Sequence, residues 1–119
     1  MQTEGRDLLM RLMSAATLRQ DVIANNIASQ NLPGYRRRDV VFEELLAREL
    51  QSGAPRTELG SIAPEIVTDF ETEPRADGNN VSAEEEASLM RENRIRFELY
   101  AAILRSRAFL TTQAIVNDR

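Results

Sequence analysis

Val22-Ile23-Ala24-Asn25-Asn26-Ile27-Ala28-Ser29-Gln30-Asn31-Leu32-Pro33-Gly34-Tyr35 reads as the end of a helix and the turn that stops it. Ile23 and Ile27 continue an apolar stripe begun by Leu9, Met13 and Ala16, so the helix arrives with its face intact. Pro33 then removes a backbone donor and pushes Leu32 out of the helical region. Gly34 can take a positive φ, which suits Leu32-Pro33-Gly34-Tyr35 to a type II turn. Asn is a poor helix former because its amide competes for backbone groups, so Asn25 and Asn26 are read as amides placed to bond something specific.

Working back from this stop, residues 7–31 form one helix. With Leu9 as the zero of a helical wheel, Leu12, Met13, Ala16, Gln20, Ile23 and Ile27 lie within about 60° of it. Leu8, Ala15, Val22 and Asn26 widen that face, while Asn25 falls on the opposite, polar side. The two asparagines are therefore expected to have separate partners. Asn26 is the one expected to make a buried bond, between helices or subunits or as a local cap.

Working forward, Val41, Leu45 and Leu46 support a short helix over 40–50. Arg36-Arg37-Arg38 reads as a solvated patch, or as an ion-pairing surface for the Glu84-Glu85-Glu86 of another copy; phosphate binding is the third option. Residues 51–74 carry Gly53, Pro55, Gly60, Pro64 and Pro74 and read as a long loop with one strand over 65–70. Such a length signals a mobile insert or a segment ordered by a partner. Asp69, Glu71, Glu73 and Asp77 do not follow the spacing of a calcium loop.

Arg75-Ala76-Asp77-Gly78-Asn79-Asn80-Val81 is a second turn, dense in residues that tolerate positive φ. Ser82-Ala83-Glu84-Glu85 then has the form of a capping box, and the acids at 84–86 suit the positive end of a helix dipole. The helix that follows, over 83–116, is about 50 Å long. On a wheel centred at Phe97, Met90, Ala101, Leu104, Ala108 and Ile115 cluster within about 40°. Leu89, Tyr100, Ile103, Leu110 and Ala114 fill an adjoining arc, and Ile95 and Phe109 lie outside both. A helix apolar on several sides must be covered on several sides, which one N-terminal helix cannot do.

Composition narrows the chemistry. The 119 residues suit one domain, with a first segment to residue 35, an irregular middle over 36–81 and a final helix over 82–119. There is no Cys, His or Trp, which removes disulfides, the usual transition-metal ligands and triads that need a His or Cys. No cofactor is expected, and no enzyme activity. The net charge of -4 argues against a nucleic-acid partner. All 15 basic residues are Arg, which codon bias explains most simply. Neither a cleaved secretory signal nor a bilayer span is expected.

Ala24-Asn25-Asn26-Ile27-Ala28 followed by Pro33-Gly34-Tyr35 resembles the N-terminal signature of bacterial flagellar rod, hook and hook-associated proteins. Arg38-Asp39-Val40-Val41-Phe42, Asp77-Gly78-Asn79-Asn80-Val81, and Met90-Arg91-Glu92-Asn93-Arg94 through Phe97, Leu104 and Ala114-Ile115 look like the proximal rod members of that family. Leu32 stands where Thr is usual, Ser82 replaces a common acid, and the middle loop is short. The resemblance implies a mostly α fold, with long N- and C-terminal helices pairing as a coiled-coil-like hairpin around an irregular middle that holds a short helix and one short strand. It also implies a structural subunit of the flagellar basal-body rod in the periplasmic space, polymerising with copies of itself and other rod subunits. Further partners it implies are the inner-membrane ring with its adaptor protein and the flagellar type III export apparatus. The residues singled out for assembly are Ile23, Asn26, Ile27, Pro33, Gly34 and Tyr35 in the first segment. Asp77, Gly78, Asn79 and Asn80 come from the second turn, and Phe97, Tyr100 and Leu104 from the last helix. A lone two-helix hairpin of this size is expected to be largely disordered or weakly helical until it assembles. A cytoplasmic helical adaptor or chaperone-like module is the alternative reading.

Overall fold

The computed structural model describes residues 2–53 and 60–117. Two long helices, α1 (Gln2–Ala28) and α3 (Ala83–Asn117), run antiparallel. Between them in sequence come strand β1 (Arg38–Val41), helix α2 (Glu43–Gln51) and strand β2 (Glu65–Thr68). β1 and β2 pair antiparallel, with Arg38 opposite Thr68 and Val41 opposite Glu65. The molecule measures 68 × 29 × 15 Å, and its radius of gyration of 18.3 Å exceeds the roughly 13 to 14 Å of a compact chain of this length.

The turn after α1 forms as its sequence requires. Tyr35 N–H donates to the Leu32 carbonyl at 3.3 Å, and Gly34 has φ +76°. Regular helix ends at Ala28 rather than at Asn31, because the Ser29 and Gln30 amides still turn back onto Asn25, Asn26 and Ile27 while Leu32 already bonds Ser29. At its other end the helix begins five residues earlier than residue 7, so the N-terminal apolar stripe understates its length.

The middle segment departs from the expected helix over 40–50. Val40 and Val41 lie in a strand, and α2 starts only at Glu43. β-branched residues suit a half-buried strand, and Phe42 lies fully buried at the helix start, against Ala15 and Leu46 with Leu12 and Ile62 beside them. The Phe42 carbonyl accepts the Leu46 amide at 2.9 Å, while Glu43 and Glu44 in the first turn and Arg48 in the last suit the helix dipole. The strand expected over 65–70 stops at Thr68, because the Asp69 carboxylate draws the Glu71 and Thr72 amides into a turn. Part of the long loop, 54–59, lies outside the described residues.

At α3, Ser82 accepts the Glu85 amide at 3.3 Å as a cap should, while the Glu85 side chain stays exposed. The face of α3 turned to α1 runs through Glu86, Met90, Asn93, Phe97, Tyr100, Leu104, Arg107 and Thr111, in steps of four and three. That is the seam spacing of a coiled coil. It corrects the wheel: Ala108 and Ile115 drift off the seam into solvent, since a 3.5-residue period was needed rather than 3.6. Phe97 keeps 37% of its surface exposed, and the residues of α3 that are fully buried are Glu86 and Asn93.

Gly78 joins the two turns. Its φ is +85°, and a Cβ there would stand 3.2 Å from the Gly34 Cα. Gly53 also has positive φ but faces open space. Gly78→Ala is therefore expected to destabilise by about 1 to 2 kcal/mol, and Gly53→Ala by less, since it meets backbone strain without the collision. Urea midpoints of the two variants at one protein concentration check the order.

Candidate assembly site

The two turns form one polar knot where α1 ends and α3 begins. Asn26, fully buried, stands at its centre. In an antiparallel pair alternate residues turn their N–H and C=O away from the partner strand, and at Arg38 those groups face α1. The Asn26 Oδ1 accepts the Arg38 N–H at 3.0 Å, and its Nδ2 donates to the Arg38 carbonyl at 2.8 Å. The side chain thus occupies the place of a neighbouring strand. Its second amide hydrogen goes to Glu86 Oε2 at 3.2 Å, and its second lone pair takes the Tyr35 hydroxyl at 3.0 Å. All four hydrogen-bonding positions of the amide are filled.

Asn25 and Asn26 share a partner after all. The Tyr35 hydroxyl that donates to Asn26 accepts from Asn25 Nδ2 at 3.2 Å. Although the two asparagines point about 100° apart, the Pro33-Gly34 turn carries the tyrosine back along the helix end, and its length lets the hydroxyl sit between them.

The second turn grips the first from the other side. Gly34 N–H donates to the Asp77 carbonyl at 2.8 Å, and Asp77 Oδ1 accepts the Asn79 amide at 3.0 Å. Buried Asn79 donates to the Ser29 and Leu32 carbonyls at 2.9 and 2.8 Å, capping the end of α1. Asn80 donates to the Asp69 carbonyl at 2.9 Å and accepts the Arg37 amide at 2.6 Å. Arg75 reaches the Gln30 and Val81 carbonyls, both at 2.5 Å.

The arginine run behaves differently from either expectation based on solvent or a second copy. Arg37 turns inward and pairs with Glu86 of its own chain at 2.5 Å and with Asp69 at 3.1 Å. Glu86 is 1% exposed, so it is covered in the folded chain. Arg36 lies 5.3 Å over the Phe70 ring, and Arg38 is the exposed member. Among the described residues, Arg37 Nη2 is buried with no hydrogen-bond partner. Burial works against the Arg37 charge, but the bonds to Glu86 and Asp69 outweigh it and hold the guanidinium more basic than usual. The Thr72 hydroxyl and amide, with Arg37, hold the Asp69 carboxyl well below the usual carboxylate range.

A second polar cluster lies about two turns along the seam from the knot, since Arg19 and Asn93 stand one heptad from Asn26 and Glu86. Arg19 donates to both oxygens of Glu43, at 2.7 and 3.2 Å, and to the Val40 carbonyl at 3.2 Å. Asn93 of α3 donates to the Ala16 carbonyl at 2.8 Å and to Gln20 at 3.0 Å. Burial pushes the Glu43 carboxyl up, yet the Arg19 bonds and its own backbone amide prevail and leave it lowered. An open cleft of about 330 Å³ adjoins this cluster, lined by Val41, Glu44, Leu89 and Arg96 among others.

Eight of the sequence-selected residues thus converge in the knot: Asn26, Pro33, Gly34, Tyr35, Asp77, Gly78, Asn79 and Asn80. Ile23 is buried and Ile27 half-buried on the last turns of α1, whereas Phe97, Tyr100 and Leu104 lie farther along the seam. Glu86, Arg37, Arg19, Glu43 and Asn93 were not selected. The detectable signal was polar residues at seam positions, Glu86 and Asn93 one heptad apart.

No protein-family profile matches the chain. It is 29% identical over 114 residues to the flagellar basal body rod protein FlgB of Borrelia hermsii, covering 82% of this chain and 84% of that protein. It is 30% identical over 98 residues to FlgB of Bacillus subtilis, covering 76% of each. The chain belongs to the FlgB family of flagellar basal body rod proteins. A shorter stretch of 50 residues is 40% identical to the flagellar hook protein FlgE of Treponema pallidum, 41% of this chain and 11% of that protein. The relatives are thus a flagellar basal body rod protein in two organisms and a flagellar hook protein in a third.

Two outcomes follow from this geometry. Asn26→Leu leaves the Arg38 N–H and carbonyl unpaired and removes one bond each from Tyr35 and Glu86, which keep Asn25 and Arg37, and is expected to cost about 3 kcal/mol or more, read as a lowered urea midpoint. Acid is expected to weaken the fold in a defined window. Above about pH 5.5 Asp69 and Glu43 are ionised folded or unfolded and their stabilisation is complete. As pH falls further the unfolded chain binds protons first, so stability declines until the lowered folded values are passed. Asp69→Asn should flatten that decline, and with no histidine in the chain little change is expected from pH 6 to 8.

Proposed function

We propose that this chain is a structural subunit of the proximal rod, polymerising through its terminal helices and transmitting torque from the inner-membrane ring to the distal rod and hook. The observation that carries this reading is surface. The chain exposes 8315 Å², against roughly 6500 Å² for a compact protein of its mass. The excess of about 1800 Å² is close to two standard protein interfaces at about 800 Å² per partner. Much of it is apolar and on α3: Ile95, Leu99, Phe109, Leu110, Ile115 and Val116 are each more than half exposed. Membership of the FlgB family supports assembly with other rod components in the basal body.

Finer partners belong to the same proposal. The subunit sits in the periplasmic space, contacts the inner-membrane ring and its adaptor protein, and travels through the flagellar type III apparatus. Among the described residues no helix is long and apolar enough to cross a membrane. The assembly residues named from the sequence divide by role in this reading. Those of the knot set the angle and register of the helices, and Phe97, Tyr100 and Leu104 hold α1 against α3, so that the outer face of α3 is left for neighbours.

Electron micrographs of basal bodies from cells lacking this chain test the reading. Membrane rings without a rod are expected, with loss of motility. Complete rods in those cells would overturn it.

A further inference from the structure

Asp77-Gly78 is the one place in the chain where a glycine follows an aspartate or an asparagine. With no Cβ on Gly78, nothing shields its nitrogen from the carboxyl of the residue before it. That pairing carries a slow side reaction. The Gly78 nitrogen attacks Cγ of the protonated Asp77 carboxyl; the N–Cγ bond forms, the Cγ–OH bond breaks, and the hydroxyl leaves with the amide hydrogen as water. A second water then opens the cyclic imide. Addition at Cγ restores aspartate, whereas addition at the Asp77 main-chain carbonyl carbon breaks its bond to the Gly78 nitrogen and leaves isoaspartate. In that product the chain runs through Cβ and Cγ, and the α-carboxylate hangs free. One water leaves and one returns, so the reaction needs nothing but solvent.

The closed knot opposes it. Gly78 N–H, whose hydrogen the reaction removes, donates to the Arg75 carbonyl at 2.8 Å. The Asp77 carboxylate is exposed but held as an acceptor, with Oδ1 taking the Asn79 amide at 3.0 Å and Oδ2 lying 3.6 Å from Arg75 Nη2. Closing the imide ring ties this side chain to the main chain and turns the Asp77 carbonyl, which accepts the Gly34 amide at 2.8 Å. Reaction in place therefore gives up bonds that hold the two turns together, and reaction in an opened turn gives up none. The product fits the knot no better. Its main chain has one more carbon between residues 77 and 78, where Gly78 packs so closely that even a Cβ would stand 3.2 Å from the Gly34 Cα. Asn79, next along, must still reach the Ser29 and Leu32 carbonyls.

We propose that Asp77-Gly78 is a site of isoaspartate formation that closure of the knot shuts off, and that a chain isomerised there cannot rebuild the knot. An open chain ages at this bond and a closed one does not, whether or not the chain polymerises.

Trypsin cuts after Arg75 and Arg91, so residues 76–91 are released as one peptide that carries the bond. The full chain is held at neutral pH and one temperature in native buffer and in strong urea, and the isoaspartyl form of that peptide is followed by chromatography with electron-transfer fragmentation. Its unchanged mass separates it from deamidation of Asn79 or Asn80. Isoaspartate should build up in urea, and at least about tenfold more slowly in native buffer. Asn26→Leu, far in sequence from the reacting atoms, should raise the native rate several-fold while leaving the urea rate as it was. Chain aged in urea is then returned to native buffer and pulsed with thermolysin; the intact survivors should be depleted of isoaspartate at least about fivefold. No isoaspartate in urea, equal rates with and without urea, or a native rate unmoved by Asn26→Leu overturns the protection. Survivors with an undiminished share of isoaspartate overturn the block on refolding.

Discussion

A buried amide that stands in for a strand is the constraint on which this fold depends. β1 has β2 on one edge only, and without a partner the Arg38 N–H and carbonyl on the other edge would be buried and unpaired. Such groups cost more to leave unmade than they contribute when made. Asn26 satisfies both while its remaining positions reach Tyr35 and Glu86, so one side chain ties α1, the turn, the sheet and α3 together. A leucine would fill the space and an aspartate would add charge beside Glu86; only an amide offers two donors and two acceptors there. Asn79 and Asn80 repeat the principle on the second turn, spanning backbone groups that no regular element could reach.

Polar anchoring at one end decides what the other end exposes. The helices are registered by hydrogen bonds, Asn26 to Glu86 and Asn93 to Ala16, rather than by interlocking of large apolar residues. Fully buried apolar side chains belong to α1 and the middle segment, and none belongs to α3. α3 is therefore held along a seam with its remaining faces open, and it is the element with most left to bury. In the rod reading proposed above, specificity of the subunit fold comes from paired polar groups, and assembly draws on the apolar surface left over.

How far the residues revealed this depends on whether the signal was local. The Pro33-Gly34 stop, the Asp77-Gly78-Asn79-Asn80 turn and the Ser82 cap are each written in a few adjacent positions: the stop forms as read, the second turn forms with Gly78 alone at positive φ, and only the Ser82 half of the capping box forms, Glu85 staying exposed. The long helices were legible from periodicity, although a seam of 3.5 and a wheel of 3.6 residues diverge over the length of α3 and misplaced Ile115. What could not be read was pairing across distance. That Gly34 touches Gly78, or that Arg37 pairs with Glu86 of its own chain, depends on which segments meet, and nothing near either residue encodes it. β1 was missed for the same reason: Arg38-Asp39-Val40-Val41 becomes a strand because Asn26 and β2 flank it.

Amide hydrogen exchange on the dilute chain and on its polymerised form tests the central claim, that the outer face of α3 is covered by neighbours and not by its own chain. Residues 95–117 are predicted to exchange freely in the dilute chain and to gain strong protection on assembly, with the extent of protection rising with protein concentration. Equal and strong protection of that segment in the dilute chain would contradict the account.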